Sequence, residues 1–226
     1  MRSLIILFTV AIAPSLALFS YLYLRKEISR EPSRTLFQAF VYGAVMTFPI
    51  LFIQHVFVEE QVFTNEFLQN TVFTGALEEF FKWLILLVFV YKNFEFDDVY
   101  DGILFGASVS LGFATVENIL FLFTFGLDTA FIRALLPVSS HALFGVVMGY
   151  YFGRSKFAVA DRKKWNLLIA LVFPFALHVT YNAILEIHDL WLYLMIPFML
   201  FLWWFGLTRV KYAHVFAMRQ IQKRAR

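Results

Sequence analysis

Glu78, Glu79, Glu117, His141 and His178 are the side chains of this sequence whose types move protons or hold metal ions, with Lys82 and Asn182 close by in the chain. Hydrolysis of a peptide needs a carboxylate to take a proton from water, a donor to hold the oxyanion and an acid to protonate the leaving amine. Glu78 and Glu79 are candidates for base and acid, and His141, His178 or Asn182 for the oxyanion donor. Two histidines and a glutamate also make a hydrolytic zinc site, with a second glutamate as base. His141, His178 and Glu117 are then the candidate metal ligands. No H-E-x-x-H motif occurs, so such ligands must come from separate helices. Ser139 and Ser140 precede His141 directly, and neighbours on a helix do not face each other, which counts against a serine nucleophile. The absence of cysteine removes thiol chemistry, disulfides and cysteine-ligated metals.

The elements that must position these residues are helices in a bilayer. The chain is 61% hydrophobic and only 15% charged, well away from the balance of a soluble domain. Apolar runs fall at 3–24, 35–58, 70–91, 101–125, 131–153, 165–186 and 190–208, each long enough to span. The expectation is an all-α, polytopic bundle of about seven helices. It forms a single integral-membrane domain over 1–226, with lipid and not nucleic acid around it. The first run follows Arg2, yet it is too long for a signal-peptide core and reads as a retained helix, kinked near Pro14. Of 19 Lys and Arg residues, sixteen fall on one side of the alternating connections or in the tail, Arg2 and Arg133 on the other, and Lys82 inside a helix. That asymmetry predicts an external N-terminus and a cytoplasmic C-terminus.

An ionisable side chain at mid-helix costs about 2.5–3.5 kcal/mol on insertion scales and needs a partner, a wet cavity or a function. With alternating directions, Glu78, Glu117, His141 and His178 all fall about 8–10 residues from the outer face, roughly 12–15 Å deep. The shared depth predicts one polar site built by the third to sixth helices. Face patterns agree: Gly75, Glu78, Glu79 and Lys82 share a face of the third helix, and His141 heads a stripe through Gly145, Gly149 and Gly153. Glu117 ends a stripe through Gly106, Ser110 and Phe113, and His178 lies between Pro174 and Asn182, with Pro174 set to bend its helix. Plainer roles exist for several of these: Lys82 as the counter-ion of the two glutamates, Asn182 as an interhelical hydrogen bond, Asn118 and Thr115 as packing. His55, His188 and His214, near helix ends or in the tail, read as solvated surface.

ALEEFFKW, with Glu78, Glu79 and Lys82, resembles the E-E-x-x-K signature of the PrsW family of membrane-embedded proteases, and FATVENI, SSHALFG and HVTYN resemble its later motifs. The similarity runs nearly the whole length. A more distant likeness is to the CAAX-protease and bacteriocin-processing superfamily, from which this chain departs in the spacing of Lys82 and in having Glu117 where a histidine is expected. The resemblance implies a multi-pass protease of the bacterial cell membrane. Such an enzyme makes the site-one cut in a single-pass anti-sigma factor on its extracytoplasmic side, starting regulated intramembrane proteolysis and releasing a sigma factor in a stress response. The rival reading is a proton-coupled transporter using the same carboxylate and histidine cluster as a relay. A non-enzymatic scaffold leaves the polar cluster unexplained.

Overall fold

The computed structural model describes residues 2–26, 33–93, 95–187 and 189–224. Arg30 and Arg226, counted among the sixteen bases above, and His188, read as a surface side chain, lie outside them. Among the described residues the chain is helical with no strand. In chain order the α-helices are α1 Arg2–Leu24, α2 Ser33–Glu59, α3 Thr74–Ile85, α4 Val99–Phe125, the short α5 Ala130–Arg133, α6 Ser139–Lys156, α7 Ala160–Leu185 and α8 Trp191–Arg224. Six stretches are long and apolar enough to cross a membrane, at Leu4–Leu24, Ser33–Glu59, Val99–Phe125, Ala130–Lys156, Ala160–Leu185 and Trp191–Arg219. The seventh expected span is α3 with its π-helical flanks, Leu68–Phe73 and Leu86–Val90, and it carries the three charges.

α4 is the axis of the bundle, packed by α1, α2, α6 and α8. A helix that is apolar all round belongs inside, and α4 is buried over most of its length while α1 is mostly lipid-facing. Lipid is as apolar as leucine, so helices associate here through close packing rather than through a hydrophobic drive. On α4, Gly102 and Gly106 meet Gly145, Gly149 and Gly153 of α6, where a Cβ on any of them would run into the facing backbone. This contact fixes the rotation of α6 about its axis, and with it the direction in which His141 points.

Two expected helices differ from a plain cylinder. Pro137 lacks the N–H of a helical ladder and crowds the preceding turn, and the chain passes through a π-helical segment, Ala134–Val138, before α6 begins. Ser139 and Ser140 spend their hydroxyls on the freed backbone, donating to Leu135 O and, at 2.9 Å, to Pro137 O. In the other, the hydroxyl of Thr74 donates to Gln69 O at 3.1 Å and closes the π segment that leads into α3. π-helical turns recur at functional sites because they re-aim the residues that follow. Two of the four candidate-bearing helices, α3 and α6, begin this way.

The last helix runs well past the expected end at 208, because hydropathy reports immersion in lipid and not helicity. Beyond it, Val210, Ala213 and Ala217 repeat at three and four residues and are buried, so a basic helix continues on a packed stripe. His214 sits half-buried on this extension, its ring 4.4 Å from that of Tyr100, and is not the solvated surface residue expected. His55 is exposed, 3.9 Å from Glu59. Asn118 and Thr115 pack α4 on α1 as expected: Asn118 donates to Ala11 O at 2.9 Å, and Thr115 Oγ1 lies 2.7 Å from Ser15 Oγ.

Candidate functional site

Successive helix residues are 100° apart, so Gly75, Glu78, Glu79 and Lys82 occupy one face about 100° wide. That face is turned inward, against α7: Glu78, Glu79 and Lys82 are all buried, Glu79 completely. Gly75 faces His178, where a Cβ would lie 3.6 Å from the ring carbon, an ordinary van der Waals contact, so the approach of α3 does not depend on the glycine. His141 arrives from α6 and His178 from α7, with ring centroids 5.2 Å apart and planes nearly perpendicular. Phe113 and Phe144 wall the pair, Phe144 stacking on His178 at 5.1 Å.

Charge explains how the groups are ordered. Lys82 Nζ lies 2.8 Å from Glu79 Oε1, 3.6 Å from Glu78 Oε2, 3.0 Å from His141 Nδ1 and 4.4 Å from the centre of the Phe113 ring. An ammonium only donates, so His141 Nδ1 accepts, and the proton of a neutral imidazole is on Nε2, donated to Glu117 Oε2 at 3.0 Å. His178 Nδ1 is 3.0 Å from Glu79 Oε1, and its Nε2 stands 4.0 Å from Glu78 Oε2. Beside an ionised Glu79 the Nδ1 donates, leaving the Nε2 lone pair turned toward Glu78. Glu78 Oε2 and Glu79 Oε2 are buried and, among the described residues, have no hydrogen-bond partner, the first lying beside Lys82 only at ion-pair distance. Two carboxylates against one ammonium leave an excess negative charge in a dry interior, which a second cation or a proton must answer.

Glu78, Glu79, His141 and His178 each offer one ligating atom within 4.8 Å of the others. Of the expected site residues, Lys82 sits among these four as counter-ion. Glu117, with a side chain 30% exposed, stands behind His141, outside the group of four. Asn182 is half-buried one turn past His178, and among the described residues its carboxamide makes no hydrogen bond to the cluster. One residue was missed. Gln54 of α2 donates from Nε2 to Glu78 Oε1 at 3.2 Å, and the sequence signal for it was weak, since α2 carries a second amide, Gln38, and a histidine next to Gln54.

The chain matches the family described as PrsW family intramembrane metalloprotease over residues 31–206, which contain all of these side chains. It is 49% identical over 214 residues to a Bacillus subtilis (strain 168) protein named Protease PrsW, covering 94% of this chain and 98% of that one. A Halalkalibacterium halodurans protein of the same name is 47% identical, covering 92% and 97%, and one from Clostridioides difficile (strain 630) is 29% identical, covering 91% and 90%. No solved structure matches. Each of these relatives is named a protease, which decides between hydrolysis and the transport reading. Near-complete coverage in both directions and a family match across the whole buried cluster place the chain in the PrsW family of intramembrane metalloproteases: it is a multi-pass membrane protease.

Proposed function

We propose that this protease makes the first, extracytoplasmic cut in a single-pass anti-sigma factor of the bacterial cell membrane, starting regulated intramembrane proteolysis and the release of a sigma factor under stress. The observation that carries the reading is the cluster itself: four buried side chains from three helices converge while two of their carboxylate oxygens have no hydrogen-bond partner among the described residues. Lopsided loop charge supports an external N-terminus, which sets the cluster in the outer half of the bilayer, on the side of such a cut.

The residues fit a divalent metal, because one imidazole nitrogen each of His141 and His178 and the carboxylate oxygens that lack a hydrogen-bond donor among the described residues form a nitrogen and oxygen donor set of the kind zinc prefers, a metal there taking His141 Nδ1 over from Lys82. Glu79, His141 and His178 would hold it, and bound there it would polarise the scissile carbonyl as a Lewis acid. Glu78 takes a proton from water as the water oxygen bonds to the carbonyl carbon. The same carboxyl returns that proton to the amine nitrogen as the C–N bond breaks. Glu117 holds His141 in the tautomer that presents Nδ1, a carboxylate behind an imidazole being the usual way to orient such a ligand. Lys82 balances the carboxylates, and Asn182 lines the approach on α7.

Reconstitution in liposomes with a candidate single-pass substrate tests the reading. The expected result is one cut on the extracytoplasmic side of the substrate span, lost in both Glu78→Gln and Glu79→Gln. A cut on the cytoplasmic side, or full activity in both variants, would sink it. Activity that survives thorough chelation would leave the glutamates to act without a metal.

A further inference from the structure

Beyond the cluster, where α2 ends, the chain forms an open polar pocket of about 440 Å³, lined by Val58, Gln61, Phe63, Thr64, Glu66, Gln69 and Asn70. Two independent features mark it as a place where something binds. Gln69 is 8% exposed and lines the cavity, yet its carboxamide has no hydrogen-bond partner among the described residues. An amide on a largely buried side chain that opens its donor and acceptor to the pocket matches the N–H and C=O of an extended peptide. Charge is the second feature. Glu59, Glu60 and Glu66 lie in or beside this connection, and no Lys or Arg occurs from 59 to 69.

Position ties the cavity to the cluster. Gln54 touches Glu78, and Val58, one turn further along α2 and about 6 Å away, lines the cavity. Gln69 precedes Glu78 by nine residues, about 13 Å along the helix. An extended chain advances about 3.3 Å per residue, so a peptide leaving the cluster reaches the cavity in about two to four residues.

We propose that this cavity is a specificity subsite that receives a lysine or arginine side chain of the substrate, about two to four residues from the scissile bond. Glu66 pairs with the cation, and Gln69 holds the adjoining peptide group. The proposal rests on the protease reading above, since it takes the bound segment to be substrate.

The test uses binding and not cleavage. The full chain in phosphatidylcholine nanodiscs is titrated against two fluorescent octapeptides, one alternating Ala and Lys and one alternating Ala and Glu, with anisotropy as the readout. The lysine peptide is expected to bind about tenfold tighter, the difference a charge-assisted hydrogen bond supplies. Glu66→Lys, at an exposed position that leaves packing intact, reverses the order. Gln69→Leu weakens the lysine peptide, and Glu60→Lys, outside the cavity lining, keeps the order. Equal binding of the two peptides would overturn the proposal. So would the same reversal in Glu60→Lys, which would reduce the effect to a diffuse surface field. Capture of the lysine peptide by a protein that cuts nothing supports the subsite and counts against the protease reading. Cleavage without charge preference does the opposite.

Discussion

Two buried clusters of carboxylate and lysine hold this bundle, one near each end, and they differ in how completely their oxygens are used. Around Asp101 every oxygen is claimed. Lys26 Nζ meets Oδ1 at 2.5 Å, and Oδ2 accepts the backbone N–H groups of Asp97 and Asp98 at 2.9 and 3.1 Å. Asp98 in turn caps α4, accepting from the N–H of Asp101 at 2.9 Å. Around Lys82 the cation is equally well held, but among the described residues Glu78 Oε2 and Glu79 Oε2 receive no hydrogen bond. A buried acceptor without a partner costs about 1–3 kcal/mol. The first cluster is saturated and joins the end of α1 to α4; the second keeps acceptors open, as the proposed role in metal binding and hydrolysis requires.

The strongest way to break this comparison is to neutralise each cluster and read cleavage. Glu79→Gln is expected to lower cleavage of a reconstituted substrate by about 10²–10⁴-fold, the usual contribution of a group at the reacting centre. Asp101→Asn should change turnover per folded molecule by far less, and equal losses in the two would erase the distinction. Stability gives the reverse contrast. Lys26→Met leaves Asp101 buried and unpaired, which is expected to cost about 3–5 kcal/mol in detergent unfolding. Lys26→Met combined with Asp101→Leu should recover most of that, and failure to recover would show that the pair does more than bridge helices. A smaller effect separates Glu117 from the four converging side chains. Glu117→Gln is expected to weaken metal binding by about 10–100-fold through His141, while His178→Ala abolishes it, both measured by competition with a chromophoric chelator. The smallest expected change is at the edge of the open cluster. Gln54→Leu removes one hydrogen bond to a carboxylate, worth about 1.5 kcal/mol, or roughly tenfold in cleavage. No change there would mean that Glu78 is positioned by α3 and α7 alone.

Which parts of this were legible beforehand follows from what the bilayer demands. Span positions were readable because each must supply about 20 apolar residues, and the polar cluster was readable because each intramembrane charge is too costly to be incidental. Even the shared level of Glu78, Glu117, His141 and His178 came from counting residues along helices of opposite direction, and the contacts among Glu78, Glu79, Lys82, His141 and His178 agree with it. Depth is a property of one helix at a time. Rotation was legible only in part: the small-residue stripes through Gly145, Gly149 and Gly153 and through Gly106 and Ser110 do turn to a close helix contact. Such a stripe says that a neighbour approaches and not which helix it is.

Composition, run length and the cost of buried charge therefore determined that this is a polytopic membrane protein with one carboxylate and histidine site, and which residues belong near it. Only the tertiary structure decided that Glu117 stands behind His141, that Lys82 sits among the four converging side chains, that Asn182 stays apart and that Gln54 joins from α2. Those outcomes depend on how closely two glycine-lined backbones approach and how far each helix turns about its axis. Side-chain volumes on neighbouring helices set that rotation, and no single segment of sequence contains it.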